Sequence, residues 1–452
     1  MFRRKHPEQQ SGFWIATGDL PTTPATAFYQ RVDRALSKSG FGAAVRALCE
    51  PYYTNDASRG GRPAIDPEVY FKMQMVGFFE NLPSERAIAS RCEDSLSIRK
   101  FLHYELHERT PDHSSLTVIR QRLGAEVYEQ VFGLVLKALK RNRLLKGKRL
   151  GIDGSVLEAN ASLRTLEHRL TGDAYAEYVR KLAEAAGVDT SDPAAVRRFD
   201  KKRPGRKTSN AEWKNPHDPD AKIGRTKRGA TRMIYKPEHV VDLETGAIVD
   251  ADVRPGDEHD TADLTGRLLE AEFRMNRALD EPEGTKRAET VVADMGYFKL
   301  DEISQLQDLE FETVVRDPLS NRRLDKLTES GRAAFEAAQR AVTSDRGKAL
   351  LKRRGELVER SFQHVLDCGA ARRTTLRGRA NIRKRYLIQA ACANISLLMR
   401  RLTGFGTPKQ ALAACSDAVG TILGVILVFV RFICGTRLAE HRDGGLLLAP
   451  IG

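Results

Sequence analysis

The chain has 452 residues but only six cysteines, and no two of them form a Cys-x-x-Cys pair or stand beside a matching pair of histidines. This scarcity argues against a zinc cluster and against a disulfide framework. The cysteines are therefore predicted to be buried thiols in a reducing cytoplasm. The first residues also lack the apolar stretch of a secretory signal peptide, which supports the same cytoplasmic expectation.

Several nucleophile and nucleotide motifs are missing as well. The chain has no G-x-S-x-G elbow, no Walker-type glycine loop and no dinucleotide fingerprint. Only one long apolar run is present, at 418–434, and Arg431 interrupts it. At about 17 residues it is at the short limit for a membrane span. A buried helix or strand is the favoured interpretation, membrane contact is the alternative, and we expect no membrane partner.

Acidic residues are outnumbered: 60 Asp and Glu face 74 Lys and Arg, which gives a net charge of +14. Such a balance is typical of proteins with a polyanionic partner, most often nucleic acid, although a basic protein without a special partner is the alternative. The excess is concentrated in 201–232, whose only large apolar residues are Trp213 and Ile223. We therefore predict a basic insertion at about 163–232, with a polar helix at 175–186 in its first half and a second half, 201–232, that forms no core of its own and becomes ordered on a polyanion.

Helical periodicity dominates the first third of the chain. We predict an N-terminal helical segment at 1–59 and an all-helical domain at 60–145. Asp66-Pro67 and Pro83-Ser84-Glu85 have the residues that begin helices. The short basic helices of this domain suit a helix-turn-helix-like reader of DNA. A small helical bundle with a solvated basic rim is the equally weighted alternative.

Strand patterns begin at about residue 146. Short apolar runs with turn residues between them predict a mixed sheet flanked by helices, an α/β arrangement over 146–402, and an apolar tail follows at 403–452. The predicted hairpin spans 239–253, the later strands cover 289–294 and 311–316, and the helices cover 260–278, 297–306 and most of 333–402.

Three carboxylates stand out by their local context. Asp153 and Asp294 each end a short apolar strand, and Glu359 lies at the border of the apolar face of a helix. Strand-end carboxylates on one sheet edge suit hard divalent cations, while a cap, a turn or a solvated side chain is the plainer explanation for each. The arginine-rich stretch 372–385 has no acidic residue, so it suits a substrate with several phosphates; a solvated helix face is its alternative.

Motifs along most of the chain occur in the order found in one known family. The segments that carry this likeness are Gly61–Pro63, Ser84–Arg86, Pro111–Ser115, Gly151–Ser155, Tyr235–Asp242, Ala293–Tyr297, Arg353–Phe362, Leu376–Arg379 and Lys384–Tyr386. Together they resemble the bacterial insertion-sequence transposases of the DDE class, whose catalytic domain has the ribonuclease H-like fold.

The resemblance implies a function and its residues. Asp153, Asp294 and Glu359 would be catalytic and would hold two Mg²⁺ or Mn²⁺ ions. Water would cleave the element's ends and the freed 3′-hydroxyl would attack target DNA. The helical domain would read the terminal inverted repeats of double-stranded DNA, and a homodimer would pair the two ends in the nucleoid.

Candidate DNA contacts and two departures complete the prediction. Met295 stands where relatives often have Lys, and Leu366 where a basic residue is common. The alternatives are therefore a catalytically inactive DNA-binding relative, or a ribonuclease H-like nuclease without strand transfer. The predicted DNA-contacting residues are Lys207, Trp213, Arg225, Lys227, Arg228, Lys236, Arg354, Arg360, Arg373, Arg377, Arg379, Lys384 and Arg385.

Overall fold

The computed structural model describes residues 22–53, 64–206, 209–226, 229–259, 263–282, 284–319 and 327–415. Among the described residues before 145 all the secondary structure is helical, as the periodicity predicts. Its helices are α1 (Pro24–Lys38), α2 (Phe41–Cys49), α3 (Pro67–Phe79), α4 (Glu85–Asp94), α5 (Leu96–Phe101), α6 (His113–Arg122) and α7 (Ala125–Arg141).

Capping residues fix where these helices begin. The Asp66 side chain accepts a hydrogen bond from the backbone N–H of Glu68, with Pro67 in the first turn, and Ser84 caps α4. Both predicted helix starts are confirmed. Asp112 caps α6 in the same way, and the hydrogen bonds from Ser115 and Ser114 lower the pKa of its carboxyl to about 2. A helix start therefore accounts for the Pro111-Asp112-His113 motif.

The sheet is mixed, as predicted. Strand β6 (Thr231–Asp242) is central: β7 (Ile248–Pro255) pairs with it antiparallel on one side and β1 (Arg149–Gly154) antiparallel on the other. Strands β8 (Thr290–Ala293) and then β9 (Glu312–Val315) follow β1 in parallel. The predicted hairpin is β6–β7, with Gly246 at φ 81° in its turn. The strands are β1 (Arg149–Gly154), β2 (Leu157–Glu158), β3 (Glu167–His168), β4 (Trp213–Lys214), β5 (Lys222–Arg225), β6 (Thr231–Asp242), β7 (Ile248–Pro255), β8 (Thr290–Ala293) and β9 (Glu312–Val315).

Helices cover the sheet and its β7 edge. Asn394 exchanges two hydrogen bonds with the backbone of Ile248, so α14 satisfies backbone groups of β7 that would otherwise be unpaired. The helices after β1 are α8 (Tyr175–Ala185), α9 (Pro193–Lys202), α10 (Leu264–Ala278), α11 (Leu300–Asp308), α12 (Glu329–Thr343), α13 (Asp345–Phe362) and α14 (Arg379–Thr403).

The insertion contains α8, which agrees with the helix predicted at 175–186, together with α9 and the small β3–β4 sheet. Trp213, in the basic half 201–232, is only 3% exposed. It packs edge-on against Tyr178 and His168, and the rings of His168 and Tyr178 stack with centroids 4.4 Å apart. The basic half is therefore packed on the first half of the insertion through a small aromatic cluster, which its low apolar content did not predict.

One hydrophobic cluster of buried residues runs through both the helical region and the sheet. Helix α14 joins them, since it packs against α3 and α7 as well as β7. Over the part of the chain that the structure describes, no helix is long and apolar enough to cross a membrane. The apolar run 418–434 lies outside the described residues.

Candidate active site

The first two predicted carboxylates lie at neighbouring strand ends. In the parallel pairing of β1 with β8, Leu150 is opposite Val291 and Gly151 is opposite Val292. Asp153 and Asp294 are each two residues further on, so they lie at the same level at the C-terminal ends of adjacent strands. The sheet therefore brings together two residues separated by 141 positions in the sequence.

Asp153 is held by contacts at both of its oxygens. Oδ1 accepts a hydrogen bond from the backbone N–H of Gly154 at 2.8 Å, and Oδ2 lies 3.1 Å from a terminal nitrogen of the Arg354 guanidinium. Arg354 also donates two hydrogen bonds to the carbonyl of Ile152. Asp294 is exposed and precedes a short turn of 3₁₀ helix.

The third carboxylate, Glu359, lies on α13. The face of α13 that packs on the sheet includes Arg354, Val358 and Ser361, and Glu359 is exposed beside that face. This agrees with its predicted position at the border of the apolar face.

A buried histidine fastens α13 to β6. His239 is directly opposite Asp153 in the β1–β6 pairing. Its Nδ1 donates to the Ser361 hydroxyl at 2.8 Å, and its Nε2 accepts from the Tyr386 hydroxyl at 2.8 Å. Its ring stacks on Phe362 with centroids 4.1 Å apart. Burial lowers the pKa of His239 to about 3, so the imidazole is neutral and serves as a fixed connector.

The donor chemistry fits a divalent cation at the first two carboxylates. Carboxylate oxygens are the ligands that Mg²⁺ and Mn²⁺ prefer, and Asp153 and Asp294 share one level of the sheet edge. However, within the described ranges no three or more His, Cys, Asp or Glu side chains are grouped closely enough to hold a metal ion. Glu359 is on the helix that packs over the sheet, but it is not gathered with the two aspartates.

A second group of residues supports the Asp294 segment, and sequence reasoning missed it. Tyr297, three residues after Asp294, donates a hydrogen bond to the buried carboxylate of Glu238 at 2.9 Å. Arg254 and Arg267 contact the same carboxylate at 3.0 and 2.8 Å. Glu238 is opposite Gly154 in the sheet, so this network meets β1 from the face opposite His239. The only indication in the sequence was the pair of polar residues Glu238 and His239 directly before the apolar Val240 and Val241.

The predicted DNA-contacting residues separate into two groups. Exposed side chains belong to Arg225, Arg360, Arg373, Arg377 and Arg379. Lys236 is half-buried and donates to the carbonyl of Glu258. Lys207, Lys227 and Arg228 lie outside the described residues.

Four of these residues have partners inside the protein: Trp213, Arg354 and Lys384 are buried, and Arg385 is partly buried. Trp213 is part of the aromatic cluster. Arg354 contacts Asp153 and Ile152, so it faces β1 and not solvent. Lys384 donates to the carbonyls of α6 and its C-cap, and Arg385 donates to the carbonyls of Leu82 and Pro83. These cations stabilise the fold, and the sequence could not distinguish them from surface cations because their partners are distant backbone carbonyls.

The two departures from the resembled pattern lie in different surroundings. Met295, directly after Asp294, is 45% exposed at the predicted site. Leu366 is buried in a stretch of π-helix at Gln363–Cys368 that continues α13. A basic side chain at 366 would therefore be turned into the core, whereas one at 295 would be at the surface.

Comparisons with known families give two matches. Residues 22–122 match the family model described as Transposase domain (DUF772), and residues 204–395 match the model described as Transposase DDE domain. The first match covers α1 to α6, and the second covers β4 to β9 together with the helices from α10 to α13 and most of α14. No curated protein and no solved structure matches the chain.

Proposed function

Since the chain belongs to the insertion-sequence DDE transposases, with their ribonuclease H-like catalytic domain, we propose that it cleaves the ends of its element and joins them to target DNA. The family processes DNA and generally uses divalent metal ions. The observation that carries the proposal is the shared level of Asp153 and Asp294 on adjacent parallel strands, with Glu359 on the helix that packs over them.

Each carboxylate has a proposed role. Asp153 and Asp294 would hold the cations from the sheet edge, and Glu359 would complete the site from α13. Two bound Mg²⁺ or Mn²⁺ ions would supply activation of the attacking oxygen and stabilisation of the leaving oxygen in an in-line phosphoryl transfer. The protein's own contribution is orientation: the backbone N–H of Gly154 and the guanidinium of Arg354 fix the plane of the Asp153 carboxylate.

DNA is proposed to contact an exposed basic surface made by Arg225, Arg373, Arg377 and Arg379, with Arg360 on α13. Anchoring of the loop that bears three of these arginines supports this assignment. The backbone N–H of Gly378 donates to the buried Asp218 carboxylate at 3.1 Å, and that of Arg379 donates to Asp220 at 2.9 Å. A fixed backbone presents the arginine side chains to phosphates with less loss of conformational entropy.

Further parts of the proposal come from the family likeness. The helical domain would recognise the terminal inverted repeats, a homodimer would hold the two ends, and the reaction would take place on the cytoplasmic nucleoid. The domain limits 60–145 and 146–402 are the working boundaries for these roles.

The test is a cleavage and strand-transfer assay on DNA carrying the flanking element end, with Mg²⁺ or Mn²⁺. Asp153→Ala, Asp294→Ala and Glu359→Gln should abolish both 3′-end nicking and joined products while leaving end binding largely intact. Glu356→Gln is the matched control, because Glu356 is exposed on the same helix and pairs with Arg360. Strand transfer at the wild-type rate in any of the three site variants would remove that residue from the site.

One specific observation favours a second candidate, a DNA-binding relative without catalysis. Met295 occupies an exposed position beside Asp294 where relatives often carry a cation. Binding without cleavage in the wild type, with cleavage restored by Met295→Lys, would support this candidate. Nicked ends without joined products would instead identify a nuclease.

A further inference from the structure

Arg354 connects the helix of one proposed catalytic residue to the strand of another. It is 8% exposed, and its Nε and one terminal nitrogen donate to the Ile152 carbonyl at 3.1 and 3.0 Å. The same terminal nitrogen lies 3.1 Å from Oδ2 of Asp153. One guanidinium therefore contacts both the backbone carbonyl of Ile152 and the side-chain carboxylate of Asp153 at the end of β1.

The aliphatic stem of Arg354 packs directly on the strand. A Cβ added at Gly151 would lie 3.2 Å from the Arg354 Cγ and 2.6 Å from a methyl carbon of Leu243. Glycine at 151 thus allows α13 to approach β1 closely enough for the guanidinium to reach past Ile152. The separation between helix and strand is set by this contact.

A second contact fixes α13 on the other side of Glu359. Ser361 accepts from His239 and donates to the carbonyl of Val358, which ties the helix to β6. Glu359 lies between the two anchors, five residues or about 7.5 Å along the helix axis from Arg354. Its backbone position relative to Asp153 is therefore defined at both ends.

We propose that Arg354 is a positioning residue for the metal site: it orients the Asp153 carboxylate and sets the placement of the helix that carries Glu359. The inference rests on the proposed function. Groups that hydrogen-bond to metal ligands typically change metal affinity 10- to 100-fold when they are removed. The planar fork of arginine is needed, because a lysine ammonium has no comparable geometry for bridging a carbonyl and a carboxylate.

A competing physical effect would change the metal affinity in the opposite direction. A guanidinium next to a cation site repels the incoming ion, so removing its charge could tighten metal binding. In that case Arg354 would be a counter-ion that the metal displaces, and the positioning role would be refuted. The sign of the change in metal affinity therefore decides between the two.

The experiment measures binding of Mn²⁺ to the full-length, DNA-free protein by the electron paramagnetic resonance signal of free Mn²⁺. Arg354→Gln should bind the ion sensitive to Asp153→Ala about 10-fold more weakly than the wild type. Arg354→Lys should give an intermediate affinity, since it keeps the charge but loses the fork. Arg353→Gln is the matched control: Arg353 is the neighbouring residue, and it donates to Leu243 and Glu244 at the β6–β7 turn instead.

Each outcome has one meaning. Weaker binding in Arg354→Gln with wild-type binding in Arg353→Gln supports the proposal. Unchanged or tighter binding in Arg354→Gln overturns it while leaving the proposed function standing. Absence of any Asp153-dependent Mn²⁺ binding in the wild type refutes the metal site and the positioning role together. If Arg354→Gln does not fold, the folded Arg354→Lys variant decides by the same comparison.

Discussion

The sequence predicts that two cations on α14 both contact DNA, whereas the structure buries one of them. One experiment can distinguish these two readings. Lys384 is 9% exposed, and its ammonium donates to the carbonyls of Arg120 and Leu123 at 3.1 and 2.6 Å. Arg379, five residues earlier, has an exposed side chain. We expect Lys384→Met to destabilise the fold without weakening DNA binding specifically, and Arg379→Gln to do the reverse.

The magnitude follows from the two carbonyls. A hydrogen bond from a charged donor contributes about 1.5–3 kcal/mol, and a buried acceptor left unpaired costs about 1–3 kcal/mol. Methionine keeps the apolar volume of the lysine stem, so packing changes little. The carbonyls belong to the last turn of α6 and its C-cap, where a cation is also favoured by the helix dipole. Because burial of the ammonium itself carries a cost, we expect a net loss of about 2–4 kcal/mol in the free energy of unfolding.

The assay combines urea denaturation with DNA binding at several salt concentrations. Arg379→Gln should reduce the slope of log K against log salt concentration by about 0.9, the value for one lost phosphate contact. Lys384→Met should keep the wild-type slope. The reasoning would be refuted if Lys384→Met retained full stability but reduced the slope as much as Arg379→Gln does.

Three more predictions concern buried groups. The pKa of His239 is about 3 in the folded chain and near 6.5 in the unfolded chain, so only the unfolded chain takes up a proton as the pH falls between these values. The free energy of unfolding should therefore drop by about 2 kcal/mol from pH 7 to pH 5. His239→Gln should flatten that part of the pH profile in denaturant titrations. Glu238→Gln should cost about 2–4 kcal/mol, because it leaves two buried arginines short of a counter-charge, whereas Tyr297→Phe should cost about 1 kcal/mol; equal losses in thermal unfolding would contradict this ranking. Trp213→Ala should expose the 163–225 segment to limited proteolysis while wild-type cleavage sites elsewhere stay protected.

The sequence was sufficient wherever local rules decide the structure. Helix starts at Asp66 and Ser84 follow from capping, and the β6–β7 hairpin follows from alternating apolar residues around a glycine turn. The strand-end positions of Asp153 and Asp294 were predictable for the same reason, since a buried strand followed by a turn residue is a local pattern. To predict that the two aspartates lie at the same level, one would need the order of the strands in the sheet, and the residue pattern of a single strand does not contain that order.

The remaining site depended on contacts between distant segments. Lys384 and Arg354 have the composition of surface cations, and only their partners more than 200 residues away make them internal. The arginine-rich stretch therefore predicted a basic surface larger than the one that exists. In 201–232, a low apolar content was taken to exclude a core of its own, and the contact of Trp213 with Tyr178 was not predicted because it forms only when α8 folds back on the β3–β4 pair.

Strand β6 supplies none of the three catalytic candidates, but its residues contact the elements that carry them. Glu238 and His239 are adjacent, so their side chains point to opposite faces of the sheet. On one face His239 fixes α13 through Ser361, which places Glu359; on the other face Glu238 accepts from Tyr297, which places the segment of Asp294. Both residues are paired with the end of β1, at Asp153 and Gly154. A change in the register of β6 would move all three carboxylates relative to one another, so Glu238 and His239 of this strand are as much a part of the site as the carboxylates.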